Sequence, residues 1–303
     1  MSIRFDDRVV ILTGACGSLG REFARAYYER GARLILCDLG AAMSGEVEDE
    51  SAAAEFARNL DPSGKRVLAD SADISSPETG KKLVESALDA FGRVDVLVHG
   101  AGNMRNHAFK RMSQDDFDSV VEVHLNGAAY LTMAAFQYML DQKYGRILMV
   151  TSAGGLYGAF GVGNYGSAKT ALIGLMNVLK VEGAKHNVLA NAIAPVAASR
   201  MVEGLFEEDP GDMTAPQWVS PAALYLTSER CTSAGEIIVA AGRHYAKAQI
   251  VESAGINAPV GVGYPSPEYI EENFAAISDM TGAAPLENLG AAMRKAFTAK
   301  VAI

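Results

Sequence analysis

Val9-Val10-Ile11-Leu12-Thr13-Gly14-Ala15-Cys16-Gly17-Ser18-Leu19-Gly20 (residues 9–20) is a short apolar run, a glycine-rich turn and the start of a helical pattern. A run this uniformly apolar is a strand buried on both faces, because a half-exposed strand would alternate. Similar runs recur at Leu34–Leu36, Val94–Val98, Arg146–Val150, Val188–Ile193 and Glu236–Val239, and another strand ends near Asp70. Helix-length segments lie between them at Leu19–Arg30, Pro77–Phe91, Phe117–Gln142 and Asn164–Glu182. Strand–helix alternation with right-handed crossovers predicts an α/β fold built on a doubly wound parallel sheet.

The texture changes at residues 253–267 (SAGINAPVGVGYPSP), a Gly/Pro-rich loop. A further helix is expected after it. Ser266 can cap it, Pro267 fits its first position, Ile270, Phe274 and Ile277 share a face, and Gly282 is the expected stop. The expected organisation is therefore a nucleotide-binding domain at 1–252 and a small helical extension at 253–303.

The chain has 303 residues with 27 Lys plus Arg against 36 Asp plus Glu, a formal charge of −9, which argues against nucleic acid or an anionic membrane as partner. No apolar stretch reaches the ~18 residues of a membrane span, and the N-terminal segment reads as no signal peptide. Cys16, Cys37 and Cys231 form neither a disulfide framework nor a metal-ligand pattern, so no metal is expected and a reducing, cytoplasmic setting is.

Two groups of residues carry chemistry. In the first, the turn holding Gly14, Ser18, Leu19 and Gly20 can turn backbone N–H groups toward a pyrophosphate at a helix start. Asp38 ends the second strand, where a carboxylate can bind the ribose hydroxyls of NAD and repel the extra phosphate of NADP. Asp73 and Ile74 either frame the adenine or, through Asp73, cap the turn before Pro77. In the second group, Ser152 ends a strand, and Tyr165 and Lys169 stand at i and i+4 on one helical face. An ammonium beside a phenol favours the phenolate and should lower the pKa of Tyr165 from ~10. That equips Tyr165 to move the proton in a carbonyl/alcohol redox reaction while a nicotinamide moves the hydride.

TGACGSLG, Asp38, Asp73, His99-Gly100-Ala101-Gly102, Ser152, Tyr165-x-x-x-Lys169 and Asn191-Ala-Ile-Ala-Pro195 together resemble the short-chain dehydrogenase/reductase family. The chain is most similar to its (3R)-hydroxyacyl-CoA dehydrogenase branch, found in peroxisomal multifunctional enzyme type 2 and bacterial relatives. That likeness rests on CDLG (37–40), VHLNG (123–127), QKYGRI (142–147), LYGAFG (156–161), Ser199-Arg200-Met201 and the tail at 266–280. The resemblance implies a Rossmann fold and NAD as cofactor, with Gly100 among its contacts. It implies Tyr165 as acid/base, Lys169 as the group that lowers its pKa and holds the nicotinamide ribose, and Ser152 as the group orienting the substrate oxygen. His124 stands where the family has the asparagine of a proton relay, and is either a relay group adding pH sensitivity or a neutral core histidine bonded to backbone.

The implied substrate is a 3-hydroxyacyl-CoA or similar acyl thioester, with Arg105, Lys110, Arg111, Arg243 and Lys247 as candidate phosphate contacts. A steroid or sterol-side-chain alcohol, or a 3-oxoacyl-ACP, is the alternative substrate. The resemblance also implies a homodimer or homotetramer through the helices at 117–142 and 164–182, and a tail that covers the substrate pocket. Three departures stand out: Ser18 for a glycine, HGAG for NNAG, and Pro195-Val196 for Pro-Gly. They would suit a non-catalytic nucleotide-binding protein, against which the intact Ser152, Tyr165 and Lys169 speak.

Overall fold

The computed structural model describes residues 2–197, 211–259 and 263–297. The predicted Ser199-Arg200-Met201 motif lies outside them. The elements run β1 (Val9–Thr13), α1 (Ser18–Glu29), β2 (Arg33–Cys37), α2 (Ala52–Leu60), β3 (Val67–Asp70), α3 (Pro77–Phe91), β4 (Val96–His99), α4 (Gln114–Val121) and α5 (Gly127–Asp141). They continue with β5 (Gly145–Val150), α6 (Ala153–Tyr157), α7 (Gly163–Gly183), β6 (Val188–Val196), α8 (Ser220–Thr227), β7 (Ile237–Ala241), β8 (His244–Ala248), α9 (Pro267–Ile277) and α10 (Leu289–Phe297).

One sheet has the order β3-β2-β1-β4-β5-β6-β7-β8, and the first seven strands in sequence pair in parallel. Chain order reverses between β1 and β4, so crossovers leave in opposite directions and a crevice opens at their C-terminal ends. This is the expected doubly wound α/β fold. At the opposite ends of β1 and β4, the fully buried Asp95 accepts from the Val9 N–H at 2.9 Å and pairs with Arg8 and Arg93. A buried carboxylate is tolerated because its oxygens are filled by these donors.

The segment expected as one helix from Phe117 to Gln142 is three pieces. Between α4 and α5 the turns widen into a π-helix over Glu122–Asn126. A π-turn costs hydrogen-bond geometry and tends to persist where it aims a side chain at a functional site. Here that side chain is His124, fully buried.

The chain divides into two compact units, Met1–Lys247 and Ala248–Ile303. In the second, the Ser266 hydroxyl caps α9 by accepting from the Tyr269 N–H. Gly282 is not the stop. The helix ends at Ile277, the Ser253 hydroxyl donates to the Ile277 carbonyl at 2.8 Å, and Gly282 sits beyond the end at φ +76°. No residue of α9 or α10 is buried. No helix among the described residues is long and apolar enough to cross a membrane.

In the first unit, α1 and α8 are joined by a buried bond of 2.7 Å between the hydroxyls of Tyr27 and Thr227. Tyr27→Phe should lower stability by about 1 kcal/mol, read as a lower urea midpoint with an unchanged m-value. An unchanged midpoint would show that Thr227, which also donates to the Ala223 carbonyl, gains nothing from the phenol.

Candidate active site

The crevice is a cleft of about 580 Å³ whose walls include Gly14, Gly20, Asp38, Ile74, Gly100 and Val150. Its floor is the glycine turn. Gly14 has φ +70°, and a Cβ there would lie 2.7 Å from the backbone of Gly100 and Ala101. A Cβ on Gly20 would lie 2.0 Å from the Gly14 carbonyl oxygen. Both positions need glycine, so strand, turn and helix close up and leave the start of α1 open to an anion. Ser18 does not disturb this: it is the first residue of α1 and lines the cleft with Leu19.

Asp38 is tied to the turn. One carboxylate oxygen accepts from the Cys16 N–H at 2.7 Å and the other from the Gly40 N–H at 2.9 Å. Each oxygen keeps lone pairs for a ribose hydroxyl. Asp73 and Ile74 both line the cleft, and the Asp73 carboxylate accepts from the Ser75 N–H at 2.9 Å. Asp73 thus braces its own turn while lining the cleft. Burial, with Asp38 next in effect, pushes the half-buried Cys16 thiol up to about 12, so it is a poor nucleophile.

His99-Gly100-Ala101-Gly102, the HGAG departure, still braces the central strands. His99 is buried, and its Nδ1 lies 3.0 Å from the Thr13 hydroxyl, which also accepts from the Ala101 N–H at 3.2 Å. The imidazole therefore ties β4 to β1 at the crevice. Burial, reinforced by the charge of Lys169, pushes His99 down to about 3, so the tie is neutral at physiological pH.

Ser152, Tyr165 and Lys169 converge beside Val150. Ser152 is extended and caps α6, its hydroxyl oxygen accepting from the Gly154 N–H at 3.1 Å. The same hydroxyl also bonds the Tyr165 phenol. Tyr165 is held by a residue that pattern alone did not single out. The buried Asn164 accepts the Tyr165 N–H at 2.8 Å and donates to the carbonyls of Arg105 and Asp116, each at 2.9 Å. An Asn directly before the tyrosine, at the first turn of a helix, was the available signal.

Lys169 is buried, donates to the Val150 carbonyl at 2.7 Å, and lies 5.5 Å from the centre of the Tyr165 ring. Burial pushes its pKa down to about 7. The expected lowering of Tyr165 by this lysine is absent. Burial raises the phenol above its ordinary value, and the Ser152 hydroxyl partly offsets the rise. The ammonium form of Lys169, 5.5 Å from the ring centre, is itself weakened by desolvation.

His124 packs edge-on to Tyr165, with ring centres 5.3 Å apart. Its Nε2 lies 2.9 Å from the Asn103 carbonyl oxygen and 3.2 Å from the Asn103 N–H, so one serves each tautomer. Its Nδ1 is buried without a partner. Burial, with Lys169 adding to it, holds its pKa well below the ordinary value. The imidazole stays neutral, and the expected pH sensitivity from its titration is not present.

Most of the candidate thioester contacts are engaged. Arg105 bonds the Ser44 carbonyl and Asp115, Lys247 pairs with Glu236, and Arg243 lies over the Trp218 ring. Lys110 and Arg111, in the 3₁₀ turn Phe109–Arg111, make no ion pair or side-chain hydrogen bond among the described residues. Pro195 and Val196 end β6, paired with Ala240 and Ala241.

Residues 8–209 match the family model for short chain dehydrogenases. The chain is 40 % identical over 286 residues to peroxisomal multifunctional enzyme type 2 of Mus musculus, covering 93 % of this chain and 38 % of the mouse protein. It is 32 % identical over 234 residues to acetoacetyl-CoA reductase of an Acinetobacter strain, covering 74 % of this chain and 92 % of that enzyme. A crystal structure of a short chain dehydrogenase from Mycobacterium avium superposes with a TM-score of 0.78 at 32 % identity, covering 93 % of this chain and 97 % of that one. The chain thus spans about four tenths of the mouse protein's length.

The buried lysine has a measurable signature. A base whose pKa falls from its ordinary 10.5 to about 7 in the fold penalises folding fully below pH 7, and the penalty fades as pH rises toward 10.5. Lys169→Met should therefore be more stable than the parent at pH 7, by on the order of 1–3 kcal/mol after the lost bond to Val150 is offset. The difference should shrink between pH 7 and 10 in urea titrations. A parent that is the more stable at pH 7 would refute the burial argument.

Proposed function

The chain belongs to the short-chain dehydrogenase family, and on that premise we propose that it interconverts a secondary alcohol and a ketone on a 3-hydroxyacyl-CoA or similar acyl thioester, using NAD. The observation that carries the reading is the convergence of Ser152, Tyr165 and Lys169 beside the glycine-floored cleft. Nicotinamide cofactors serve this family, and when bound the group accepts or donates the hydride. The rest of the chemistry falls to the chain. Ser152, whose hydroxyl bonds the Tyr165 phenol, turns that hydrogen bond to the substrate oxygen and orients it. Tyr165, neutral at rest, carries the proton to or from that oxygen. Lys169, near neutrality in its pKa, exchanges charge as Tyr165 turns over, and Val150 fixes where its nitrogen stands. His124, with one ring nitrogen on Asn103 and one without a partner, passes the proton on as a neutral donor or acceptor.

NAD rather than NADP follows from Asp38, whose charge sits at the ribose end of the cleft with Asp49 beside Cys16. Arg21, which also lines the cleft, donates to the Cys16 carbonyl and lies over the Phe56 ring. The thioester assignment is supported by the likeness to an acetoacetyl-CoA reductase and by the unengaged Lys110 and Arg111. Three free thiols suit a cytoplasmic setting.

The test is to incubate the protein with NAD and 3-hydroxyacyl-CoA of several chain lengths at mildly alkaline pH and follow NADH. Tyr165→Phe should lower turnover at least about 100-fold while NADH affinity is kept. A protein that binds NADH but oxidises no thioester overturns the substrate, and a preference for NADPH overturns the reading of Asp38.

We also propose a homodimer. α5 and α7 leave Met133, Tyr138, Val178 and Val181 exposed at 47–65 %, more large apolar surface than two neighbouring helices usually present to water. Light scattering at micromolar concentration should give at least twice the chain mass, and a monomer would refute it.

A further inference from the structure

The segment between β2 and α2 is longer than a strand-to-helix turn requires, and it is folded. Glu48 N and Asp49 N both donate to the Gly40 carbonyl at 2.9 Å. Ala41 and Val47 form an antiparallel bridge, and Ala42 N donates to the Glu46 carbonyl at 2.7 Å. The result is a small hairpin with its tip at Met43–Gly45. The tip does not end in solvent. The Met104 N–H donates to the Met43 carbonyl at 2.8 Å, Arg105 Nε donates to the Ser44 carbonyl at 3.1 Å, and Gly45 faces the Asn103 amide.

The sheet order makes this contact informative. The hairpin starts at the end of β2, and its tip is fastened to the loop after β4, while β1 and its glycine turn lie between those strands. The hairpin therefore spans the cleft above the turn. Met43, Glu48 and Asn103 all face the cleft.

Arg105 holds both sides of this closure. Its guanidinium bonds Ser44 with Nε and Asp115 with Nη1, the latter at 2.7 Å. Its backbone carbonyl takes the Asn164 amide, which in turn holds the Tyr165 N–H. We propose that Arg105 is a positioning residue that straps the 40–50 hairpin across the dinucleotide cleft, slowing release of the cofactor and joining that closure to the seating of Tyr165. The proposal rests on the NAD reading above and not on the thioester. It reassigns Arg105 from a substrate phosphate contact, since its Nε and Nη1 are already engaged.

The test reads the strap and the cofactor separately. A protease cutting after glutamate reports on Glu46, Glu48 and Glu50 without any cofactor, and Arg105→Met should be cut there at least about five times faster than the parent. Stopped-flow NADH fluorescence should show release about ten times faster, with a smaller effect on the association rate. A second variant, replacing residues 42–46 by two glycines, keeps Arg105 but removes the tip. It should release NADH as fast as Arg105→Met, and combining the two changes should add nothing. The proposal is overturned if Arg105→Met is cut and releases NADH at parental rates, or if the two changes add in full. A parent that binds no NADH overturns this inference together with the cofactor assignment, whereas one that binds NADH but oxidises no thioester removes only the substrate.

Discussion

The bond between the Thr13 hydroxyl and the His99 imidazole holds the crevice on which the proposed chemistry depends. A doubly wound sheet is weakest as a wall where its crossovers part, between β1 and β4, because no helix covers the strand ends there. Thr13 closes that gap by taking the Ala101 N–H and meeting His99 Nδ1 at once. The tie is buried and neutral, so neither salt nor ordinary pH weakens it. On the far side of His99 lies the backbone of Val123 and His124, whose effect on the imidazole opposes the burial that dominates it. The π-turn carrying His124 is therefore packed against the same joint that supports the glycine turn. Cofactor floor and proton-handling groups share one buried support.

That joint explains why a chain without the usual asparagines keeps an ordered crevice. An asparagine braces strands through its amide. His99 does the same through Nδ1, while the backbone of Val123 and His124 acts on the rest of its buried ring. Nearby, His124 Nδ1 and Asn103 Oδ1 are buried and without a partner. Unpaired polar atoms in a protein interior are rare, and several together mark polar space rather than hydrocarbon packing. A site that must pass protons has use for such space, and the nitrogens that border it are neutral and free to exchange roles.

What was legible in the sequence was local. Buried strands announce themselves by uniform apolar runs, and the i, i+4 spacing of Tyr165 and Lys169 fixes their shared face wherever the helix sits. Pro77–Phe91 is a helix with the expected bounds because Pro starts it and Gly92 at φ +76° ends it. What escaped was decided by neighbours distant in sequence. Nothing within Phe117–Gln142 shows that its turns widen at Glu122–Asn126, where His124 packs against the distant loop at 99–103. The pKa order of Tyr165 and Lys169 inverted for the same reason: spacing gives proximity, but burial decides which group bears the charge. The departure at His99 is compensated from another strand, through Thr13, which the sequence around His99 does not reveal.

The electrostatics of the site follow from having one ionisable cation among groups that burial keeps neutral. Lys169 bears on both imidazoles, and each is driven further from protonation by it. Charge in this interior therefore resides on Lys169 or nowhere. Burial brings the lysine's pKa down to about 7, so the surrounding field bears directly on its charge. A phenolate forming on Tyr165 would draw the ammonium form, since a nearby anion in a dry site is worth more than in water. The tyrosine need not be ionised at rest for this to work. Its resting neutrality and the poised lysine are two sides of one burial, and the charge pair arises only when the reaction creates it.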